Sequence, residues 1–218
     1  MEELYKKTLD RLKAELKKQL PEIEANGDWL WHHPEAGFKE TETQKYCLEV
    51  LKNHGFEACT WPDVTGFTCT YDTGRPGPCV MIMGEMDSLI CYSHPDCNPE
   101  TGAAHACGHS IQVATAMGAF ITLTESGVLE NFGGKVMLAG VPAEECLEIE
   151  WRTREIQKGR LHYLCGKAEL LYRGAFDGVD IVISMHAGLG NDGTITILGS
   201  HNGFISKNVT FQGRSAHA

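Results

Sequence analysis

Residues 78–86 read PCVMIMGEM, an apolar run that ends in charged residues. A run of this length and composition is typical of a strand buried on both faces of a sheet. Two further runs have the same character, KVMLAGV at 135–141 and DIVISM at 180–185. Between these runs, residues 103–124 are expected to form a loop that enters a long helix, and residues 167–173 are expected to be helical. Strands that alternate with helices predict an α/β fold, in which a mostly parallel sheet is sandwiched by helices.

The segment before the first run is predicted to be helical at first and then β-rich. The charged stretch MEELYKKTLDRLKAELKKQL is amphipathic, and Pro21 is expected to end its helix. A second helix is expected around 29–33 and a third from Thr41 to Gly55, where the glycine supplies a stop signal. Two short strands are predicted within 56–73.

Composition excludes several classes of protein. The chain has 218 residues, of which 42% are hydrophobic and 22% charged, and this balance is that of a folded globular protein. A formal net charge of −10 disfavours binding to nucleic acid or to an anionic membrane. No apolar run reaches the roughly 20 residues that cross a bilayer. The nine scattered cysteines and the lack of a signal peptide predict reduced thiols and a cytoplasmic location.

Polar side chains collect where the predicted strands end. In an open α/β sheet, ligands bind outside the carboxyl ends of the strands. Each apolar run here is followed by carboxylate or imidazole groups, and one more cluster opens the long helix. The residues concerned are Glu85, Asp87, His105, Cys107, His109, Glu144, Glu145 and His186. Their placement predicts a polar site at one edge of the sheet.

The chemistry of these side chains favours a site for two metal ions. Cys107 and His109 are ligands that suit zinc-like ions, and Gly108 allows both to face one ion. At a strand-to-turn corner, Glu145 can bind metal while Glu144 accepts a proton from the attacking water as general base. Two ions about 3.5–4 Å apart can activate water and polarise a carbonyl group.

Each cluster also has an ordinary interpretation. Glu144 and Glu145 could form a solvated acidic turn, His186 could be a buried core histidine, and Asp87 could cap a turn. A third hypothesis makes Cys107 a nucleophile, with His105 or His109 as its base. That hypothesis leaves the paired carboxylates without a task.

The sequences of these motifs and their order along the chain resemble those of the M20 metallopeptidase family, in particular its aminoacylase-like and hippurate-hydrolase-like amidohydrolases. The stretch HACGHS followed by VPAEE is the most specific part of this resemblance. The matching stretches are WHHPEAGFKE at 31–40, GEMDSL at 84–89, HACGHS at 105–110, VPAEE at 141–145, SMHA at 184–187 and GRSAHA at 213–218.

The resemblance implies roles for individual residues. Glu144 would be the general base, Asp87 a supporting acid near the metals, and His217 a residue that steadies the oxyanion in a partner's active site. The cofactor would be two divalent metal ions, with zinc as the first choice and manganese, cobalt or nickel as compatible alternatives. The implied metal ligands are Cys107, His109, Glu145 and His186.

The resemblance also implies a zinc-peptidase-like catalytic domain over residues 1–192 and the beginning of a small α+β dimerisation domain over 193–218. The substrate would be a small N-acyl amino acid or a peptide-like molecule. The full-length form would be a homodimer. Family members are longer, so the chain is expected to be truncated at its C-terminus, and it could be a metal- or ligand-binding fragment without turnover.

Two features depart from the family pattern. Glu85 and Ser110 stand where aspartates are more usual, which affects the surroundings of the predicted ligands. Residues 148–163 look like an insertion beside the predicted base. This insertion could be a lid that selects substrate or a surface helix, and the surface helix is the preferred interpretation.

Overall fold

The computed structural model describes residues 2–188, 207, 209 and 211–214. The chain divides into two units, Met1–Ala187 and Gly188–Ala218, and the architecture below belongs to the first. The predicted domain boundary after residue 192 and the predicted position of His217 lie outside the described residues.

The first unit contains five α-helices and seven strands among its described residues. The helices are α1 Glu2–His32, α2 Thr41–Asn53, α3 His109–Glu125, α4 Ile149–Gln157 and α5 Gly166–Tyr172, with a short 3₁₀ helix at Val128–Asn131. The strands are β1 Ala58–Thr60, β2 Phe67–Asp72, β3 Cys79–Glu85, β4 Leu89–Ile90, β5 Ala103–Ala104, β6 Lys135–Val141 and β7 Ile181–Ser184. The three apolar runs are therefore strands, as predicted.

Five of the strands form one mixed sheet in the order β1-β2-β6-β3-β7. Strand β3 pairs in parallel with β6 and with β7, so that Met83 lies beside Ala139 on one side and Ser184 on the other. Strands β1 and β2 pair antiparallel, and β2 also runs antiparallel to β6. The predicted α/β fold is confirmed, and the parallel pairing is concentrated in the three strands that end at the polar residues. A connection of six residues joins β1 to β2, which is long enough only for a hairpin.

Apolar side chains cover both faces of this sheet. Alternate residues of β3 point to opposite faces, so Ile82 packs on one apolar core and Met81 on the other. The larger core is formed with helices α1, α2 and α3 and includes the fully buried Phe120. The smaller core includes Leu170 of α5. This arrangement confirms the prediction that helices sandwich the sheet.

Helix α1 continues through Pro21, where the sequence predicted an end. A proline within a helix removes one backbone hydrogen bond and crowds the preceding turn. The packing of α1 against α3 opposes this cost, because Ile23 lies so close to Gly118 that a Cβ there would be 2.4 Å from its side chain. Leu30, which is fully buried, extends the same contact surface. Tertiary packing therefore outweighs the local helix-breaking signal.

The motif at 31–40 connects α1 to the sheet. The Glu35 carboxylate accepts hydrogen bonds from the backbone N–H groups of Thr41, Glu42 and Thr43 at 3.1, 3.2 and 2.8 Å. These are donors that the first turn of α2 leaves unpaired. The carbonyl oxygen of Glu35 accepts from the backbone N–H of Ser88 at 2.8 Å. Glu35 thus fixes the start of α2 to the loop that follows β3.

Over the described part of the chain, each helix is either too short or too polar to cross a lipid bilayer.

Candidate metal centre

The predicted polar residues meet at the edge of the sheet where β3, β6 and β7 end. Glu85 is the last residue of β3, Glu144 lies three residues beyond β6, and His186 lies two residues beyond β7. Helix α3 begins at His109 and enters the same region. Gly108, immediately before it, has a φ of 92°, a left-handed conformation that costs glycine little.

Cys107, His109 and His186 form the first group of candidate ligands. Their ligand atoms lie within 4.8 Å of one another. Cys107 Sγ is 3.4 Å from His186 Nε2, and the rings of His109 and His186 are 5.5 Å apart and almost perpendicular. The carboxylate of Glu145 interacts with the Cys107 thiol. The structure therefore groups three of the four predicted ligands, and Glu145 is not a member of this group, although its negative charge acts on the Cys107 thiol.

Glu85, His109 and Glu144 form a second group with the same separation limit. His109 Nε2 lies 3.1 Å from Glu85 Oε2 and 3.9 Å from Glu144 Oε2. The two groups share His109. Such an arrangement of thiol, imidazole and carboxylate groups offers donors for more than one divalent ion.

Asp87 sets the orientation of His109. Nδ1 of His109 donates a hydrogen bond to the Asp87 carbonyl oxygen at 2.9 Å and lies 3.2 Å from Asp87 Oδ1. Asp87 Oδ2 accepts the backbone N–H of Glu145 at 2.9 Å. Asp87, fully buried, therefore connects the imidazole to the glutamate loop. A carboxylate on one ring nitrogen is the usual support for a metal ligand on the other.

The other ring nitrogen of His109 is the clearest sign that a cation fits here. Nε2 is buried and has no hydrogen-bond partner among the described residues, and the same holds for Glu85 Oε2. The 3.1 Å contact between these two atoms lacks the alignment of a hydrogen bond. Buried polar atoms without partners are costly, and a bound ion would satisfy both.

Negative charge dominates the electrostatics of the site. Burial opposes the charged form of His109, but the carboxylates of Asp87 and Glu85 outweigh it and raise the pKa of His109 to about 10. Burial likewise raises the pKa of Glu85, but His109 and Lys167 outweigh it and lower that pKa to about 2. Positive charge is thus strongly favoured at the centre of the site.

The surroundings of Cys107 argue against its role as a nucleophile. His186 Nε2 is near enough to act as a base at 3.4 Å. However, burial together with the hydrogen bond and negative charge of Glu145 raises the pKa of the Cys107 thiol to about 12. A nucleophilic cysteine needs a lowered pKa, whereas a metal ion stabilises the thiolate directly.

Lys167 and Gln112 take part in the site, although the sequence did not single them out. The Lys167 ammonium group contacts the Glu85 carboxylate and lies 3.4 Å from Glu144 Oε1. Gln112 accepts the backbone N–H of Glu85 at 2.8 Å and donates to the Met185 carbonyl oxygen at 2.6 Å, which joins the ends of β3 and β7. Lysines and glutamines are common in predicted helices, so no sequence pattern predicts that these two residues belong to the site.

The insertion at 148–163 forms helix α4, and one face of this helix is buried. Arg152 is fully buried, donates to the Leu164 carbonyl oxygen at 2.7 Å and lies over the Phe38 ring at 5.2 Å. Glu150 and Arg154 on the other face are exposed. The preferred interpretation as a surface helix therefore describes only half of α4, because Arg152 ties it to the body of the unit.

The chain has relatives among proteins of known activity, although no protein-family model matches it. It is 26% identical over 183 residues to the N-acyl-L-amino acid amidohydrolase of Geobacillus stearothermophilus, a match that covers 80% of this chain and 44% of that protein. It is 31% identical over 170 residues to one of the subunits of the p-aminobenzoyl-glutamate hydrolase of Escherichia coli strain K12. That match covers 71% of this chain and 34% of the relative.

Among solved structures, the chain resembles a Bacillus subtilis protein described as a dinuclear metal binding peptidase from the M20 family. The TM-score is 0.61 at 24% identity, over 81% of this chain and 44% of that one, and this likeness concerns the fold. The chain spans between a third and a half of the length of these relatives. The order of its motifs, its α/β fold and its relatives together show that the chain belongs to the M20 family of metallopeptidases and amidohydrolases.

Proposed function

We propose that the complete protein is a metal-dependent amidohydrolase that cleaves the amide bond of N-acyl amino acids or related small amide and dipeptide substrates. The observation that carries this proposal is the meeting of Cys107, His109 and His186 beside Glu144 at the sheet edge. The names of the two relatives, an N-acyl-L-amino acid amidohydrolase and a p-aminobenzoyl-glutamate hydrolase, support this class of substrate.

The proposal includes two divalent metal ions. The ions would be held by Cys107, His109, Glu145 and His186, and the buried Nε2 of His109, which lacks a hydrogen-bond partner in the described part of the chain, supports this assignment. Zinc suits the thiolate and imidazole donors, and manganese, cobalt and nickel are compatible with the mixed set. When bound, such ions lower the pKa of water and polarise a carbonyl oxygen.

Glu144 is the proposed general base. Its carboxylate is partly exposed, which lets it reach a water molecule, and it lies next to His109 and Lys167. Glu144 would take a proton from water as the water oxygen bonds to the acyl carbon. It would return that proton to the nitrogen as the carbon–nitrogen bond breaks, so that the products are a carboxylic acid and a free amine.

The neighbouring residues have supporting tasks. Asp87 would hold the His109 ring in place, and Lys167 would balance the negative charge of Glu85 and Glu144. His217 is proposed to steady the oxyanion in the active site of the other protomer, in a homodimer of the complete protein. A cytoplasmic location completes the proposal, and the scattered, odd number of cysteines supports it.

A hydrolysis assay with metal control tests this function. The complete protein is expected to release free amino acid from an N-acetyl amino acid, to lose this activity in chelator and to regain it with zinc, manganese or cobalt. Glu144→Gln should lower kcat by about 10²- to 10⁴-fold without loss of bound metal. Glu150→Gln, a change of an exposed glutamate on α4, is the matched control and should have no effect.

The same assay separates this function from the second candidate, metal binding without turnover. Stoichiometric metal binding with no hydrolysis of any N-acyl amino acid would support the second candidate. Full hydrolysis in thorough chelator would contradict the metal-dependent mechanism.

A further inference from the structure

The backbone just before Glu144 is held in an unusual conformation. Ala143 has a φ of 49°, and among the described residues only Phe38 and Glu148 share a positive φ without being glycine. A left-handed conformation is unfavourable for alanine and persists only where the surroundings impose it. Ala143 is fully buried at the corner between β6 and the glutamate pair.

Both polar groups of the Ala143 backbone are fixed by partners from elsewhere in the chain. Its N–H donates to Glu40 Oε1 at 2.8 Å, and its carbonyl oxygen accepts the N–H of Gly166 at 3.0 Å. Gly37 closes the space beside it, because a Cβ at Gly37 would lie 2.7 Å from Ala143 Cα. The corner therefore has no room to relax toward an ordinary conformation.

Glu40 is a buried acid with no contact to the candidate ligands. Its second oxygen accepts the hydroxyl of Thr65 at 2.5 Å, so each carboxylate oxygen has one partner. Burial raises the pKa of Glu40 to about 7, and the hydrogen bond from Thr65 opposes the rise. To keep a carboxyl group inside a protein is costly, which favours a specific task for it.

The pairing of Glu40 with Asp87 suggests that task. Glu40 accepts the N–H of residue 143, and Asp87 accepts the N–H of residue 145 at 2.9 Å. Two buried carboxylates thus hold the backbone on either side of Glu144. An orientation error of about 1 Å at a catalytic group can cost about 100-fold in rate.

We infer that Glu40 is a positioning residue, which holds Ala143 in its left-handed conformation and so aims the side chain of Glu144 at the reacting water. This inference rests on the proposed hydrolase function. Glu40 acts through the length and hydrogen-bonding pattern of its side chain, and not through its charge. Among the described residues, its carboxylate oxygens accept hydrogen bonds from Ala143 and Thr65.

Two conservative variants test this assignment against each other. Glu40→Gln keeps the length of the side chain, with an oxygen to accept the Ala143 N–H and an amide group near the Thr65 hydroxyl, which can accept as well as donate. Glu40→Asp keeps the charge but is one methylene group shorter, so it no longer reaches Ala143. We expect Glu40→Gln to retain kcat within about threefold, and Glu40→Asp to lower kcat about 10- to 100-fold with KM nearly unchanged.

Hydrogen exchange of the backbone amides at 143–147 gives a readout that does not depend on activity. Exchange at Ala143 should be at least about tenfold faster in Glu40→Asp than in wild type, and close to wild type in Glu40→Gln. Leu30→Ala, in the core on the other side of the sheet, is the control for general destabilisation. It should lower stability without a change in kcat of the folded enzyme.

The outcomes are distinct. An active Glu40→Asp with an inactive, folded Glu40→Gln would overturn the assignment, since the charge would then be what matters. Equal kcat in wild type and Glu40→Asp, despite faster exchange at Ala143, would overturn it as well. Failure of wild type to hydrolyse any N-acyl amino acid would refute the proposed function instead, and the exchange experiment would still test the hydrogen bond.

Discussion

Two histidines of this chain, His54 and His109, have carboxylates beside both ring nitrogens, but only one of the two histidines is a candidate metal ligand. His54 lies just beyond α2 on the periphery. Its Nδ1 is 2.6 Å from Glu125 Oε1 and its Nε2 is 2.9 Å from Glu22 Oε2, so it joins α1 to α3. Both ring nitrogens have hydrogen-bond partners. His54 therefore forms ion pairs through both ring nitrogens, and neither nitrogen is available to bind a metal ion.

His109 has the same kind of neighbours but a different geometry. Asp87 engages Nδ1, while the buried Nε2 faces Glu85 and Glu144 without a hydrogen bond. Cys107 and His186 complete its surroundings. When both ring nitrogens of a histidine have hydrogen-bond partners, as in His54, its carboxylate neighbours form ion pairs with it. When one nitrogen is hydrogen-bonded and the other is not, as in His109, the second nitrogen is a candidate metal ligand.

The largest expected contrast concerns metal affinity. In Asp87→Asn the side chain offers one acceptor oxygen where the carboxylate offers two, so support for His109 or for the Glu145 N–H is lost. We expect metal affinity to fall about 10- to 100-fold. Glu125→Gln, the matched change beside His54, should leave affinity unaltered. Titration with zinc against a competing chelator measures both, and equal losses would contradict the distinction.

The next contrast concerns the lysines that pair with glutamates in the two regions. Lys167 contacts the buried Glu85, whereas the exposed Lys18 pairs with Glu15 three residues earlier in α1 at 2.7 Å. Lys167→Met should lower the free energy of unfolding of the metal-free protein by about 1–2 kcal/mol, because Glu85 loses a partner. Lys18→Met should change it by less than about 0.5 kcal/mol.

Urea unfolding of both lysine variants, monitored by circular dichroism, provides the comparison. If Lys167→Met lowers the free energy of unfolding no more than Lys18→Met does, the Lys167 ammonium group does not stabilise the buried Glu85 carboxylate.

The smallest expected effect concerns the pH dependence of His54. Burial lowers the pKa of His54, but its two glutamate partners outweigh this and raise the pKa above the ordinary value of 6.5. The stabilisation by the two His54–glutamate ion pairs is therefore fully present below pH 6.5 and is lost as the pH rises through the raised pKa. Between pH 6 and 9 wild type should lose up to about 1 kcal/mol more stability than His54→Gln. Identical pH profiles of the two proteins would contradict this.

Much of the fold and the neighbourhood of the site were predictable from local patterns. The apolar runs at 78–86, 135–141 and 180–185 contain β3, β6 and β7. Parallel strands present their carboxyl ends at one edge, so the polar residues that follow them had to meet there. That Cys107 and His109 lie together was predictable from their spacing at a helix start, and their role as ligands of a shared ion stays a prediction.

Other features depend on contacts between residues that are distant along the chain, and no local sequence pattern predicts them. Pro21 reads as a helix end, yet packing between Ile23 and Gly118 keeps α1 intact. Glu40, Lys167 and Arg152 reach their partners only after the chain folds, and the separation along the chain is 103 residues between Glu40 and Ala143. Short patterns cannot predict such pairs.

His109 and its neighbours should bind metal, whereas His54 and its two glutamates should not. Metal content per chain, measured by atomic spectroscopy after exhaustive dialysis, distinguishes the two regions in wild type, Cys107→Ala and His54→Ala. We expect two divalent ions in wild type and in His54→Ala, and one or none in Cys107→Ala. An unchanged metal content in folded Cys107→Ala, or an equal loss in His54→Ala, would contradict this assignment.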